Sequence, residues 1–165
     1  MKMMIHDLDE AQWQSIAPIG NDITLVSNTQ KIAHCIGCFG CWVKTPAVCV
    51  IRDAYGDMGE RLSKCSEVVI ISKCLYGSYS PFIKNVLDRS ISYIHPYFTL
   101  KNGEMHHRER YDYHFNLSVW FYGEDITPQE KQTAEKLVRA NMVNLCGGIK
   151  TVRFARDISE IGGKL

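Results

Sequence analysis

Strand-like and helix-like stretches alternate along this chain of 165 residues, which predicts an α/β domain on an open parallel sheet with crossover helices. Three observations carry that prediction. Residues 67–72, Glu-Val-Val-Ile-Ile-Ser, form a continuous β-branched run, the pattern of a strand buried on both faces at the centre of a parallel sheet. Just beyond it, Ser80 can cap a helix and Pro81 suits its first turn. Ile83, Val86, Leu87, Ile91 and Ile94 then recur at three- and four-residue intervals as a core-facing stripe, ended by Pro96. Thr127-Pro128-Gln129-Glu130 is a capping box with proline at the first helical position. The helix it opens turns Ala134, Leu137, Val138, Met142 and Leu145 inward and stops at Gly147-Gly148.

The other elements follow in order. Residues 2–8 make a short, methionine-rich first strand, and residues 9–17 a brief helix stopped by Pro18 and Gly20. Residues 23–26 are a compact strand that leads through Ser27-Asn28-Thr29 into a cysteine-rich loop, residues 35–53. From about Asp57 a helix places Met58, Leu62 and Cys65 on one face. Asn102-Gly103, between two short extended runs, marks a hairpin inserted at about residues 97–107. Residues 113–121 and 149–154 are the last two strands, and residues 162–165 a loose tail. No repeat or low-complexity linker divides the chain, so residues 1–165 read as one domain.

Charge excludes several classes of function. Nineteen basic residues face 18 acidic ones, so nothing draws the chain to nucleic acid or an anionic membrane. No apolar run is long enough to span a bilayer, and the first ten residues hold no signal-like apolar core. A cytoplasmic setting with reduced thiols is expected. Seven cysteines there argue for ligands, redox thiols or core residues rather than a disulfide framework.

Four of the seven fall in CIGCFGCWVKTPAVCVIRD, at Cys35, Cys38, Cys41 and Cys49. The first three are spaced by two residues with Gly37 and Gly40 between, which lets a tight loop aim its sulfurs at one centre. Four such thiolates suit an iron–sulfur cluster or a tetrahedral zinc; reduced thiols beside a redox group or in a core are the alternative. Cys65 and Cys146 read as core residues on apolar helix faces, and Cys74 ends a strand. His106 and His107 read as solvated or lid residues, and Trp42 as a packing residue. In an open sheet, ligands bind beyond the carboxyl ends of the strands. Residues 72–79 and 122–126 belong to that edge, and the cysteine loop is expected there too.

CIGCFGCWVKTPAVCVIRD, then ISKCLYGSYSPFIKNVLDRS, then the order of elements through Leu145 resemble the flavodoxin-like NAD(P)H-dependent FMN reductases, particularly the branch related to iron–sulfur flavoproteins. The resemblance covers roughly residues 22–155. It implies a sheet of order 2-1-3-4-5, a homodimer or higher oligomer, and FMN stacked on the loop after the third strand. Ser72, Cys74, Leu75, Tyr76, Gly77 and Ser78 would border the ring, with loop amides bonding its edge and Tyr76 or Tyr79 covering a face. Tyr122 and Gly123 would line the other side. In the iron–sulfur branch the compact cysteines hold a [4Fe–4S] cluster near the flavin, which places Cys35, Cys38, Cys41 and Cys49 as metal ligands.

Two departures stand out. The family opens with a Gly/Ser/Thr-rich phosphate loop and a full helix, whereas His6-Asp7-Leu8-Asp9-Glu10 leads straight into Ala11-Gln12-Trp13. The first βα unit is therefore truncated, with three carboxylates where a dianion would dock. Lys73 stands where the family has proline. The sequence thus predicts an FMN-dependent NAD(P)H oxidoreductase with an unidentified small-molecule or protein acceptor, its flavin weakly held. A [4Fe–4S] electron relay and a cofactor-free scaffold or partner-binding module are the alternatives.

Overall fold

The structure is a computed structural model that describes residues 1–18 and 22–165. Gly20, expected to stop the first helix, lies outside the described residues. Five parallel strands form the sheet in the order β2-β1-β3-β6-β7: β1 Lys2–His6, β2 Ile23–Ser27, β3 Glu67–Lys73, β6 Asn116–Tyr122 and β7 Gly148–Ala155. With the inserted hairpin set aside, this is the expected order 2-1-3-4-5. The central strand pairs in register on both sides, Ile70 lying opposite Ile5 and Val119. All of Val68, Val69, Ile70 and Ile71 are buried, as a strand covered on both faces requires.

Alternation along the strands splits the core in two. Met3, Ile5, Val68, Ile70, Leu117 and Val119 face the helices α3 (Met58–Ser63), α4 (Pro81–Arg89) and α5 (Pro128–Asn144). Met4, Val69, Ile71 and Trp120 face a thinner layer made by α1 (Glu10–Ile16) and the short turn Ile158–Glu160. Ile158 and Ile161 are buried in that layer and Lys164 lies 5.9 Å from the Trp120 ring. The end of the chain is thus packed, where the composition of residues 162–165 suggested a loose tail. A glycine pair signals backbone freedom but says nothing of the apolar anchors just before it.

Two further expectations are corrected. α4 ends at Arg89, a 3₁₀ turn Ser90–Tyr93 follows, and Ile94 already begins the strand β4 (Ile94–Lys101), which carries Pro96. Ile94 is buried as the stripe demanded, but from a strand; periodicity reports the face, not the backbone. β4 pairs with β5 (Glu104–Glu109) as a separate two-stranded ribbon, joined through Asn102 and Gly103, both at positive φ as this turn requires. Cys146 lies beyond the end of α5 at φ 58°, so it is not on a helix face; its Sγ sits 2.8 Å from Lys101 Nζ. Cys65 also lies just past the end of its helix, α3, but it is fully buried as expected. No helix among the described residues is long and apolar enough to cross a membrane.

Candidate functional site at the carboxyl edge of the sheet

The loop after β3 is shaped by its own hydrogen bonds. Ser72 is buried at the strand end, where its Oγ accepts from the Ser80 amide (2.9 Å) and donates to the Lys73 carbonyl (3.0 Å). That ties the strand end to the start of α4. Ser80 itself makes no side-chain cap bond; the cap read from Ser-Pro is positional only. The Cys74 amide donates to the Tyr122 carbonyl (2.9 Å), and Leu75 and Ser78 exchange both backbone bonds around Tyr76-Gly77. Tyr76 and Gly77 take positive φ, and a Cβ on Gly77 would come 2.8 Å from the Glu130 carbonyl oxygen. The turn is pressed against the first turns of α5, and only glycine fits at its second corner.

These bonds decide what each predicted residue offers a ligand. The amides of Cys74, Leu75 and Ser78 are used internally, as is that of Gly123, which donates to the Ala155 carbonyl (3.1 Å). The amides of Tyr76 and Gly77 have no backbone partner among the described residues. Tyr76 is 91% exposed and presents its ring at the tip. Tyr79, expected to cover a ligand face, is instead buried against Phe121 (5.2 Å between centroids), and burial raises its phenol. Cys74 is half-buried, and burial raises its thiol, which stays neutral.

A cleft of about 520 Å³ opens beside this loop, beyond the carboxyl ends of β3, β6 and β7. Lys73, Cys74, Tyr122, Gly123, Glu130 and Arg156 are among its walls. Behind it, the β1–α1 connection has filled itself. Asp7 accepts from the Lys73 amide (2.9 Å) through Oδ2 and from the Tyr122 hydroxyl (3.1 Å) through Oδ1. Burial first, and then the Asp7 charge, raise the Tyr122 phenol, so it remains a donor. Asp9 caps α1, accepting from the Gln12 amide (2.8 Å), while Gln12 Oε1 accepts from the Asp9 amide (3.0 Å). One of the first-turn amides a phosphate would use at this helix start, that of Gln12, is already bonded to the Asp9 carboxylate, whose charge would oppose an anion at the others. The residues present do not fit a phosphate-anchored FMN.

Sequence reasoning missed His6, at the end of β1. It is 2% exposed, stacks on Trp13 at 4.3 Å, and neither ring nitrogen has a hydrogen-bond partner among the described residues. Burial lowers its pKa, so the ring is neutral. Its place at a strand end beside two carboxylates was the available signal.

The cysteine loop was expected at this edge and lies elsewhere. Cys35, Cys38, Cys41 and Cys49 line a second cleft, of about 600 Å³, together with Leu87 and Arg89 at the end of α4 and Asn141 and Asn144 at the end of α5. Crossover helices run back along the strands, so those helix ends point toward the amino ends of the sheet. The loop leaves β2 at the carboxyl edge but spends its length travelling down one face. A short helix, α2 (Gly40–Val43), carries Cys41 and Trp42. Trp42 Nε1 donates to the Ile94 carbonyl (3.0 Å), and its ring sits 5.6 Å from Phe39 and 4.9 Å from His107. His107 in turn lies 4.9 Å from Phe98. His106, its neighbour on β5, pairs instead with Asn144 Oδ1 (3.0 Å). Both histidines are half-buried, and His107 is a wall of the cleft rather than a solvated residue.

Cys41 is buried, Cys49 half-buried, and Cys35 and Cys38 exposed. Burial, and then the nearness of Cys49, raise the Cys41 thiol. No group of three or more His, Cys, Asp or Glu side chains among the described residues is arranged to hold a metal ion. The four sulfurs share a cleft without converging, so they do not fit a cluster as they stand. The loop is anchored by a pair that sequence reasoning also passed over. Arg89, 1% exposed, grips Asp53 with two bonds of 2.7 and 2.8 Å and donates to the Ala33 and Ile51 carbonyls. The guanidinium bonds hold the Asp53 carboxyl below its usual range. An arginine breaking an otherwise apolar helix stripe was the signal for it.

No known family model matches the chain, and no curated protein matches it. Solved structures do share its fold. The Trp repressor binding protein from Bacillus subtilis superposes with a TM-score of 0.54 at 10% identity, covering 98% of this chain and 90% of that one. Azoreductase AzrA gives 0.54 at 10% identity over 93% and 86%. An FMN-dependent NADH-azoreductase from Bacillus anthracis str. Ames Ancestor, solved with FMN, gives 0.51 at 10% identity over 98% and 92%. At this identity the likeness establishes the flavodoxin-like fold and no more.

Proposed function

We propose that the protein is an oxidoreductase of the flavodoxin-like reductase class, passing electrons from NAD(P)H to a planar acceptor of the flavin or quinone kind. The acceptor is an exchangeable substrate bound at the carboxyl edge. The observation that carries this reading is the open cleft at the ends of β3 and β6, beside a turn whose Tyr76 and Gly77 amides have no backbone partner among the described residues and whose tyrosine ring is exposed. The fold shared with a reductase solved with FMN agrees with it. On this reading Lys73 and the Tyr76 and Gly77 amides meet the polar edge of the ring, Tyr76 covers a face, and the neutral Cys74 thiol closes the wall. The chain contributes binding and orientation, and hydride chemistry belongs to the nicotinamide and its acceptor.

Anaerobic mixing of the protein with NADH or NADPH and riboflavin tests this, with flavin bleaching as the readout. Bleaching well above the protein-free rate, reduced by Tyr76→Ala, is the expected result. A rate equal to the protein-free control with both donors refutes the reading.

A second reading, an electron relay with an iron–sulfur cluster on Cys35, Cys38, Cys41 and Cys49, is favoured by one observation: all four line a single cleft. Iron analysis of anaerobically prepared protein tests it. Iron lost in Cys38→Ser supports the relay; iron-free protein rules it out.

A further inference from the structure

We infer that the cleft at the carboxyl edge selects uncharged planar ligands, flavin without its phosphate or a quinone, and that Asp7 and Asp9 exclude the phosphorylated form. The inference rests on the reading of that cleft as the acceptor site.

The position that would receive a phosphate is occupied by the chain itself. Asp9 satisfies the exposed amide at the start of α1 from within, through a capping box closed in both directions. Gln12, whose amide Asp9 holds, is also a wall of the cleft. Asp7 is fixed by two donors, the Lys73 amide and the Tyr122 hydroxyl, which both belong to cleft-lining residues. Asp7 cannot swing away without leaving the part-buried Tyr122 hydroxyl without its acceptor, and Asp9 is held by both bonds of its capping box. The remaining charges agree in sign. Glu124, Asp125, Glu130 and Asp157 line the cleft against the cations Lys73 and Arg156, an excess of two negative charges before Asp7 and Asp9 are added. A phosphate dianion brought near this set would be repelled and would find the Gln12 amide already bonded to a carboxylate. An uncharged ring system loses nothing by either feature.

The inference is tested by titrating the full chain with riboflavin and with FMN, following quenching of flavin fluorescence, in wild type and Asp9→Ser. Serine keeps an N-cap acceptor, so the helix is preserved while the charge is removed. The expected result is that FMN binds at least about tenfold more weakly than riboflavin at low salt, the size expected for charges at close range near a surface. The gap should narrow in Asp9→Ser and at high salt. FMN binding as tightly as riboflavin, or more tightly, overturns this inference and leaves the acceptor site standing. A gap that Asp9→Ser does not narrow overturns the assignment to Asp9. Failure of both flavins to bind removes the acceptor site, and the inference with it.

Discussion

The two clefts of this molecule are built in opposite ways. At the carboxyl edge, polar groups are paired with one another: carboxylate to amide, hydroxyl to carboxylate, amide to carbonyl around a closed turn. What stays open there is an acidic hollow walled by Lys73, Cys74 and Tyr122 and by Glu124, Asp125 and Asp157. On the face of the sheet, the cysteine cleft is lined by thiols, rings and aliphatic side chains, with a few polar residues, and Arg89, paired to Asp53, is among its walls. Ile36, Phe39 and Val43 remain exposed around it. The same fold thus carries one site whose specificity comes from charge and another whose lining is apolar and soft. Charge at the first decides which form of a ligand enters; at the second, the backbone of the loop hangs on one ion pair.

That contrast can be broken by mutation. The largest effect is expected from Arg89→Met, which leaves the half-buried Asp53 without its partner and the Ala33 and Ile51 carbonyls without a donor. A loss of about 3–5 kcal/mol in denaturant unfolding is expected. A loss below about 1 kcal/mol would mean the loop does not depend on the pair. Gly77→Ala probes the other site: a Cβ there meets Glu130 and Thr133 at a positive φ, and about 2 kcal/mol should be lost. Turn and α5 would part first, seen as faster hydrogen exchange at Leu75 and Ser78. An unchanged exchange rate would show that the turn is held from elsewhere.

Smaller effects sharpen the comparison. Thr127→Ala removes the capping box of α5, whose Thr127 Oγ1 accepts from the Glu130 amide, and should cost about 1 kcal/mol. The helix flanks both clefts, its start at one and its end at the other, so thermal unfolding should stay a single transition. Last is a dependence on pH. Glu109 is held by the Lys101 ammonium, which lowers its pKa from 4.5 to about 2. A depressed folded-state value contributes stability above the ordinary carboxylate range, and that contribution fades as pH falls from about 4.5 toward about 2. The β4–β5 ribbon should therefore loosen on acidification, and Glu109→Gln should flatten that response in a denaturant midpoint measured against pH. Equal slopes in both proteins would remove Glu109 from the account.

Much of the fold was legible in the sequence because each element carried its own local signal. The β-branched run of β3, the Thr127 box and the Asn102-Gly103 turn are all decided by residues within a few positions of one another. The route of the cysteine loop was not, because its path is set by Asp53 meeting Arg89, 36 residues away. The closed carboxyl edge was half legible. Asp7, Asp9 and Glu10 announced that a phosphate loop was missing, but only the contact between Asp7 and Tyr122, 115 residues apart, shows what replaced it. Tyr79 is a case where the motif pointed to a ligand and packing against Phe121 claimed the ring.

Amide chemical shifts of the labelled protein, followed during titration with riboflavin, test the central claim most directly. Shifts confined to Lys73, Cys74, Tyr76, Gly77 and Gly123, with Phe39, Ile51 and the Trp42 indole unmoved, are the predicted result. Movement of Phe39, Trp42 and Ile51 with a silent carboxyl edge would place the ligand in the cysteine cleft and contradict the account.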